Sequence, residues 1–230
     1  MDLIQKFDYH WVFFDFDGTI AESSRGMIET MQMAIQALQL PQKNDEAIRA
    51  LIGPPLPVMI RNLFPELNDA TAQKLFKLHR KIYAETGWTK VELYHGIREL
   101  LEELVLNEKI LGIVSLKPEH YVFKICELLE ISQYFERIVG VDLTNNPITD
   151  KKVLLLETMN YLGALKKESI MIGDTESDIK AANDCDMHSI GVTFGFGDVS
   201  KFVNKPKYVA NNSKDLQSIL LKDRLKEDKR

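Results

Sequence analysis

The chain of 230 residues carries 29 Lys and Arg against 34 Asp and Glu, and this net charge of −5 argues against a nucleic-acid partner. Its longest apolar runs, such as 110–114, are far too short to span a membrane, and no secretory leader pattern is visible. We therefore expect a cytoplasmic globular protein that binds neither membranes nor nucleic acid.

Short apolar runs rich in β-forming residues alternate with stretches of helical periodicity along most of the chain. The strand signals lie at 11–16, 110–115, 137–141, 169–172, 189–192 and 208–209. The helical signals between them lie at 97–106, 118–129, 152–162, 177–185 and 215–221. Alternation of this kind predicts an α/β fold built on a doubly wound parallel sheet.

The first strand signal ends in two acids. Asp15 follows the apolar run from Trp11 to Phe14, and Asp17 comes two residues later, before the turn at Gly18. An ionised aspartate is almost never buried unless it is paired or binds a metal. Open α/β sheets bind their ligands at the carboxyl ends of the strands, so we expect a ligand site here.

One interval breaks the alternation, because residues 19–89 carry helical signals and no convincing strand. Apolar residues recur at helical spacing in 27–38 and again in 68–86. We predict an all-α cap domain at 19–89, inserted into a catalytic core domain made of residues 1–18 and 90–230. The proline-rich turn at 53–57 either presents backbone groups to a substrate or simply connects two helices.

Two later elements deliver single polar side chains. Ser115 ends the strand signal at 110–115, and its hydroxyl, with the amides of the helix that follows, can bind an anion or merely cap the helix. Lys151, in the motif 149–152, opens another helix, where a cation opposes the helix dipole. Such a lysine needs either an anionic partner or an exposed position.

The strand signal at 169–172 also ends in acids. Gly173 lets the backbone approach closely, Asp174 follows it, and Asp178 lies one helical turn further on, facing the same point. Taken alone, these acids could only cap a helix. Two strands that both end in paired acids concentrate negative charge at one sheet edge, and oxygen ligands of this kind favour Mg²⁺.

The order of these motifs resembles that of the haloacid dehalogenase-like superfamily of phosphatases, and the resemblance covers nearly the whole chain. The helical insert resembles that superfamily's small α-helical cap. Residues 53–56, 94–97, 117–118 and 191–197 are similar to its phosphoglycolate phosphatase branch. One departure is Leu116, which stands where many relatives carry Asn.

The resemblance implies a Mg²⁺-dependent phosphatase that hydrolyses a small phosphate monoester, phosphoglycolate-like or a nucleoside monophosphate, through an aspartyl-phosphate. It implies Asp15 as the nucleophile and Asp17 as the general acid and base. Ser115 and Lys151 would hold the phosphoryl oxygens. Lys151 is preferred over Lys152 because its spacing along the chain matches the branch better.

The same resemblance implies the metal ligands. Asp15, Asp174 and the backbone carbonyl of Asp17 would bind Mg²⁺, while Asp178 would orient a metal-bound water or Lys151. The alternatives that remain open are a phosphotransferase or mutase acting on a sugar phosphate, and a non-catalytic binding module. A second anionic group on the substrate could be bound by one of three arginines or by none of them: Arg25, Arg49 and Arg61.

Overall fold

The computed structural model describes residues 8–143 and 150–221, and its centre is a parallel β-sheet. In chain order the strands are β1 (Trp11–Phe14), β2 (Ala21–Glu22), β3 (Glu92–Leu93), β4 (Ile110–Pro118), β5 (Arg137–Val141), β6 (Ser169–Gly173), β7 (His188–Val192) and β8 (Tyr208–Ala210). Six of them form one sheet in the order β5-β4-β1-β6-β7-β8, with every neighbouring pair parallel. Strands β2 and β3 form a separate antiparallel pair.

Helices connect the strands and cover the sheet. In chain order they are α1 (Ser24–Ala37), α2 (Asp45–Arg49), α3 (Leu56–Leu63), α4 (Asp69–Ile82), α5 (Ile97–Leu106), α6 (Glu119–Leu128), α7 (Lys151–Leu162), α8 (Glu176–Asp184) and α9 (Ser213–Leu220). Each strand signal and each helix signal outside the insert corresponds to one of these elements. The predicted doubly wound parallel sheet is therefore confirmed.

The alternation of side chains along β1 explains why both faces of the sheet are covered. Val12 and Phe14 point into one apolar cluster, which includes residues of α5, α6 and α9. Phe13 points to the opposite face and packs in a cluster with residues of α7 and α8. A parallel strand buried on both faces has to be apolar throughout, as β1 is.

Helices α1 to α4 have a hydrophobic core of their own. Met31 and Ile35 of α1 pack there with Met59 of α3 and Leu75 of α4, and all four side chains are buried. The methionine spacing in α1 is therefore that of core packing. The cap boundaries at 19 and 89 stay a prediction.

Four short elements in or beside the insert were not predicted: β2, β3, α2 and α3. The two-residue strand β2 lies in an interval where no strand was expected, and it pairs with β3, which lies just after the insert. A strand this short leaves no periodicity to detect. Helix α3, which begins directly after Pro55, was also missed because the prolines before it resemble a plain turn.

Strand order brings together segments that are far apart in the chain. Strand β1 lies between β4 and β6, with Phe14 opposite both Ile113 and Ile172. The residues that follow these three strands therefore meet at one edge of the sheet, as expected for an open α/β sheet. Within the described ranges, no helix combines the length and apolarity that crossing a membrane requires.

Truncating the centre of the sheet tests how much this core contributes to stability. We expect Ile172→Ala, at a fully buried position next to Phe14, to lower the free energy of unfolding by about 2–5 kcal/mol. The matched control is Leu128→Ala, because that side chain is 48% exposed and its loss should have little effect. Urea unfolding followed by circular dichroism measures both. Equal losses in the two variants would contradict this description of the core.

Candidate active site

Buried charge is concentrated at one place in the molecule. Among the residues that the structure describes, the Asp, Glu, Lys and Arg side chains classed as buried are Asp15, Lys117, Lys151, Asp174 and Asp178. All five follow or end strands β1, β4 and β6, or lie in the first turn of α7 or α8. Ionised side chains are almost never buried without partners, so each of these five side chains needs an opposite charge or a bound ion nearby.

Lys151 lies between two carboxylates. Its Nζ is 2.6 Å from Oδ1 of Asp15 and 2.5 Å from Oδ1 of Asp178. Lys151 is the first residue of α7 and is buried, whereas Lys152 is only half-buried, and the choice of Lys151 stays a prediction. These ion pairs supply the anionic partner that a lysine at a helix N-terminus needs. Thr149 of the same motif lies outside the described residues.

Burial changes the protonation of this cluster. Desolvation, only partly offset by Lys151, raises the pKa of Asp15 to about 7, and the charge of Asp178 adds to the rise. Desolvation together with the charges of Asp15 and Asp178 raises the pKa of Asp174 to about 8. Burial disfavours the charged form of Lys151, but its two carboxylate partners outweigh this and raise its pKa. The carboxylates of Asp15, Asp174 and Asp178 therefore hold more negative charge than Lys151 can balance.

Asp174 is fixed by the backbone around it. Its Oδ2 accepts a hydrogen bond of 2.7 Å from the N–H of Phe196 in the loop after β7. The backbone at Gly18 approaches so closely, with φ of 83°, that a Cβ there would lie 2.2 Å from Oδ2 of Asp174. Only glycine fits this approach and adopts this backbone conformation without strain.

Asp178 is held by a capping box at the start of α8. Its Oδ2 accepts hydrogen bonds from the N–H and the hydroxyl of Thr175, at 2.9 and 2.7 Å. The other oxygen, Oδ1, is the one that contacts Lys151. The predicted closeness of the backbone at Gly173 is also found, because a Cβ there would lie 2.3 Å from Cβ of Asp178.

Three of the predicted metal residues form a group that can hold a cation. Asp15, Asp174 and Asp178 each offer one carboxylate oxygen, and these atoms lie within 4.8 Å of one another. Oxygen-only donors and unbalanced buried negative charge fit a hard divalent ion such as Mg²⁺. The carboxylate of Asp17 is not in this group, and a ligand role for its backbone carbonyl stays a prediction.

The carboxylate of Asp17 contacts a lysine that the sequence analysis did not assign to the site. Lys117 Nζ lies 3.0 and 3.1 Å from the two Asp17 oxygens, and Ser23 Oγ donates a hydrogen bond of 2.5 Å to one of them. Lys117 is buried and lies 5.2 Å from the centre of the Tyr83 ring. The contact between Lys117 and Asp17 joins residues 100 positions apart in the chain, and the stretch 115–118 carries no local signal for it.

Ser115 lies at the same sheet edge and is buried. Its Oγ accepts a hydrogen bond of 3.3 Å from the N–H of Lys117. Its role toward a phosphoryl group stays a prediction.

The three arginines considered for a second anionic group already have carboxylate partners. Arg25 Nε lies 2.9 Å from Glu29, and Arg49 Nη2 lies 2.8 Å from Glu22. Arg61 forms an ion pair with Asp69. The guanidinium of Arg49 also lies 4.9 Å from the centre of the Phe196 ring.

A cavity of about 400 Å³ lies between the insert helices and the end of β4. Asp17 and Lys117 line one part of it, and the proline-rich turn at 53–57 lines another. The turn also approaches the core, because a Cβ on Gly53 would lie 3.0 Å from Cγ2 of Thr175. The cavity therefore adjoins Asp17 and is lined on one side by the insert.

Comparison with known proteins agrees with this geometry. The family model of haloacid dehalogenase-like hydrolases matches residues 12–192. A phosphoglycolate phosphatase from Photorhabdus laumondii is 27% identical over 212 residues, 90% of each chain, and one from Salmonella typhimurium is 28% identical over 217 residues, 85% of each chain. The solved structure of a haloacid dehalogenase-like hydrolase from Streptococcus pneumoniae is 25% identical, with a TM-score of 0.85 over 93% of this chain and 99% of that one.

The family match covers well over half of the chain and includes all the strands that form the site. The chain belongs to the haloacid dehalogenase-like hydrolases. The predicted family is thereby confirmed.

The raised pKa values predict how the stability of the fold changes with pH, and this can be tested without measuring catalysis. Asp15 and Asp174 bind protons more tightly in the folded chain, so their contribution to stability is complete below the ordinary carboxyl pKa of about 4. It is lost as the pH rises through about 7 to 8. In chelator, we therefore expect the melting temperature to fall as the pH rises from about 4 to about 8.

Mg²⁺ competes with these protons, so millimolar Mg²⁺ should raise the melting temperature more at about pH 8 than at about pH 5. Asp174→Asn removes one ligand and one titrating group, and we expect it to weaken both effects. Thermal unfolding with Mg²⁺ and with chelator measures this. A Mg²⁺ shift that is the same in both proteins would mean that the ion binds elsewhere.

Proposed function

We propose that the protein is a Mg²⁺-dependent phosphatase that hydrolyses a small phosphate monoester through a phosphorylated Asp15. The observation that carries the proposal is the buried group of Asp15, Asp174 and Asp178 around Lys151. The coarser statement, a phosphoric monoester hydrolase, follows from the family match and from the two phosphoglycolate phosphatases described above. Their names also support a small phosphorylated metabolite as substrate.

In the first half of the reaction, Asp15 is the nucleophile. One carboxylate oxygen attacks phosphorus, an O–P bond to Asp15 forms, and the bond from phosphorus to the ester oxygen breaks. Lys151, 2.6 Å from Asp15, orients this carboxylate and offsets negative charge around the phosphoryl oxygens. Ser115 donates a hydrogen bond to the phosphoryl group. Asp17 donates a proton to the ester oxygen, which leaves as the alcohol.

In the second half, water replaces the alcohol. Asp17, now ionised, accepts a proton from the water while the water oxygen attacks phosphorus and the bond to Asp15 breaks. Lys117 keeps the Asp17 carboxylate in place through its ion pair of 3.0 to 3.1 Å. The products are inorganic phosphate and the regenerated carboxylate of Asp15.

Asp15, Asp174 and the backbone carbonyl of Asp17 would hold Mg²⁺, and Asp178 would orient the ligands around it. When bound, the ion supplies positive charge that reduces the repulsion between a carboxylate and an anionic phosphate. Without the ion, the carboxylates concentrate negative charge where the anionic phosphate must approach. The reaction would therefore depend on the positive charge of Mg²⁺.

Replacing the nucleophile tests the proposal directly. Asp15→Asn keeps the shape of the side chain but removes the attacking oxygen anion, so we expect phosphate release to fall by about 10³-fold or more. The measurement is inorganic phosphate release from a panel of phosphate esters with Mg²⁺ and with chelator. Glu29→Gln, which changes a surface carboxylate paired with Arg25, is the matched control and should behave as wild type.

Turnover of Asp15→Asn near the wild-type rate would overturn this mechanism. Transfer of phosphate to a sugar hydroxyl, without release of inorganic phosphate, would instead identify a phosphotransferase or mutase. A folded protein that binds phosphate esters and turns none of them over would be a binding module.

A further inference from the structure

The cavity beside Asp17 has walls that are mostly apolar. Residues from the insert and from the end of β4 line it: Met27, Ile52, Leu56, Met59, Phe76 and Leu116. Its volume of about 400 Å³ falls in the range of sites for drug-sized ligands, roughly 300–1,000 Å³. A two-carbon acid such as glycolate would fill only a small part of it.

The position of the cavity relates it to the leaving group. If Asp17 protonates the departing oxygen, as the proposed function requires, the alcohol lies next to Asp17 on the side away from the metal ligands. Asp17 and Lys117 line the cavity, whereas Asp15, Asp174 and Asp178 do not. The phosphoryl group and the alcohol would therefore occupy two different environments, one charged and one apolar.

Among the described residues that line the buried part of the cavity, no cationic side chain is left to bind a second anionic group. Lys117 already pairs with Asp17. Burial lowers the pKa of His79 to about 4, so this side chain is neutral near pH 7. Arg80 is exposed at the rim, with its guanidinium 5.5 Å from the centre of the Phe76 ring. A carboxylate between these apolar walls would lose hydration without compensation.

We propose that the substrate is the phosphate monoester of a bulky, largely apolar alcohol, whose hydrocarbon part fills the cavity between Leu56, Phe76 and Leu116. This inference rests on the proposed function and names the substrate class for the same site. Leu116, between Ser115 and Lys117 in the chain, adds an apolar side chain to the lining of the cavity. The prolines at 54, 55 and 57 add a rigid apolar wall that loses little entropy when it binds a ligand.

The test compares esters that differ in the alcohol but have primary alkoxide leaving groups. We expect kcat/KM for 2-phenylethyl phosphate to exceed that for ethyl phosphate and for 2-phosphoglycolate by about ten-fold or more, because the ring is buried in an apolar pocket. The measurement is inorganic phosphate release with Mg²⁺ present. Using primary alkyl esters limits the contribution of intrinsic reactivity to the difference.

A matched pair of variants identifies the cavity as the source of the preference. Leu56→Trp fills part of the cavity, and we expect it to lower kcat/KM for 2-phenylethyl phosphate far more than that for ethyl phosphate, so that most of the preference is lost. The control is Val58→Trp, two residues further along α3 at a position that is 47% exposed and does not line the cavity. Leu56→Phe is a smaller change that serves if the tryptophan variant does not fold.

Binding of non-hydrolysable phosphonates separates this inference from the proposed function. Calorimetry with Mg²⁺ should give tighter binding of 2-phenylethylphosphonate than of ethylphosphonate by about ten-fold, with the difference lost in Leu56→Trp. That result without any ester hydrolysis would support the apolar subsite and overturn the phosphatase. Metal-dependent turnover with phosphoglycolate preferred, or with no preference, would overturn the apolar substrate class and leave the phosphatase standing.

Discussion

Three buried carboxylates share a single buried lysine at the centre of this structure. Asp15, Asp174 and Asp178 surround Lys151, which directly contacts only Asp15 and Asp178. Burying unbalanced charge costs several kcal/mol per ion, so the site has to bind either protons or a cation. Desolvation by burial, together with the neighbouring carboxylates, raises the pKa values of Asp15 and Asp174. The sheet order makes the imbalance possible, because β1 lies directly beside β6 and their ends bring the acids together.

The site has two parts that differ in polarity. At the sheet edge, charge is dense and backbone N–H groups fix the carboxylates, as Phe196 does for Asp174. A few residues away, the insert helices line an apolar cavity beside Asp17 and Lys117. The ion pair between these two residues lies at the boundary between the parts, and the Tyr83 ring packs against its lysine from the insert side. An enzyme built in this way can use one reaction chemistry with substrates that the insert selects.

Much of the fold could be predicted because its signals are local. The apolar strands, the acids that end β1 and β6, and the glycines at 18 and 173 all follow from short stretches of sequence. Lys117 was missed because nothing in the stretch 115–118 indicates that its side chain reaches Asp17, 100 residues away. The ion pair between Arg49 and Glu22 and the apolar lining of the cavity also join residues that are far apart in the chain. They depend on how the insert packs on the core, which periodicity does not encode.

Whether the buried acidic group binds a divalent ion can be measured directly by titrating the metal-free protein with Mn²⁺, a spectroscopic substitute for Mg²⁺. Electron paramagnetic resonance then measures the concentration of free Mn²⁺. We expect one bound Mn²⁺ per chain, which Mg²⁺ displaces. Its affinity should weaken as the pH falls below about 7, because protons then occupy Asp15 and Asp174. Asp174→Asn should bind far less. Absence of a bound ion in the wild-type protein, or equal binding by this variant, would contradict the account.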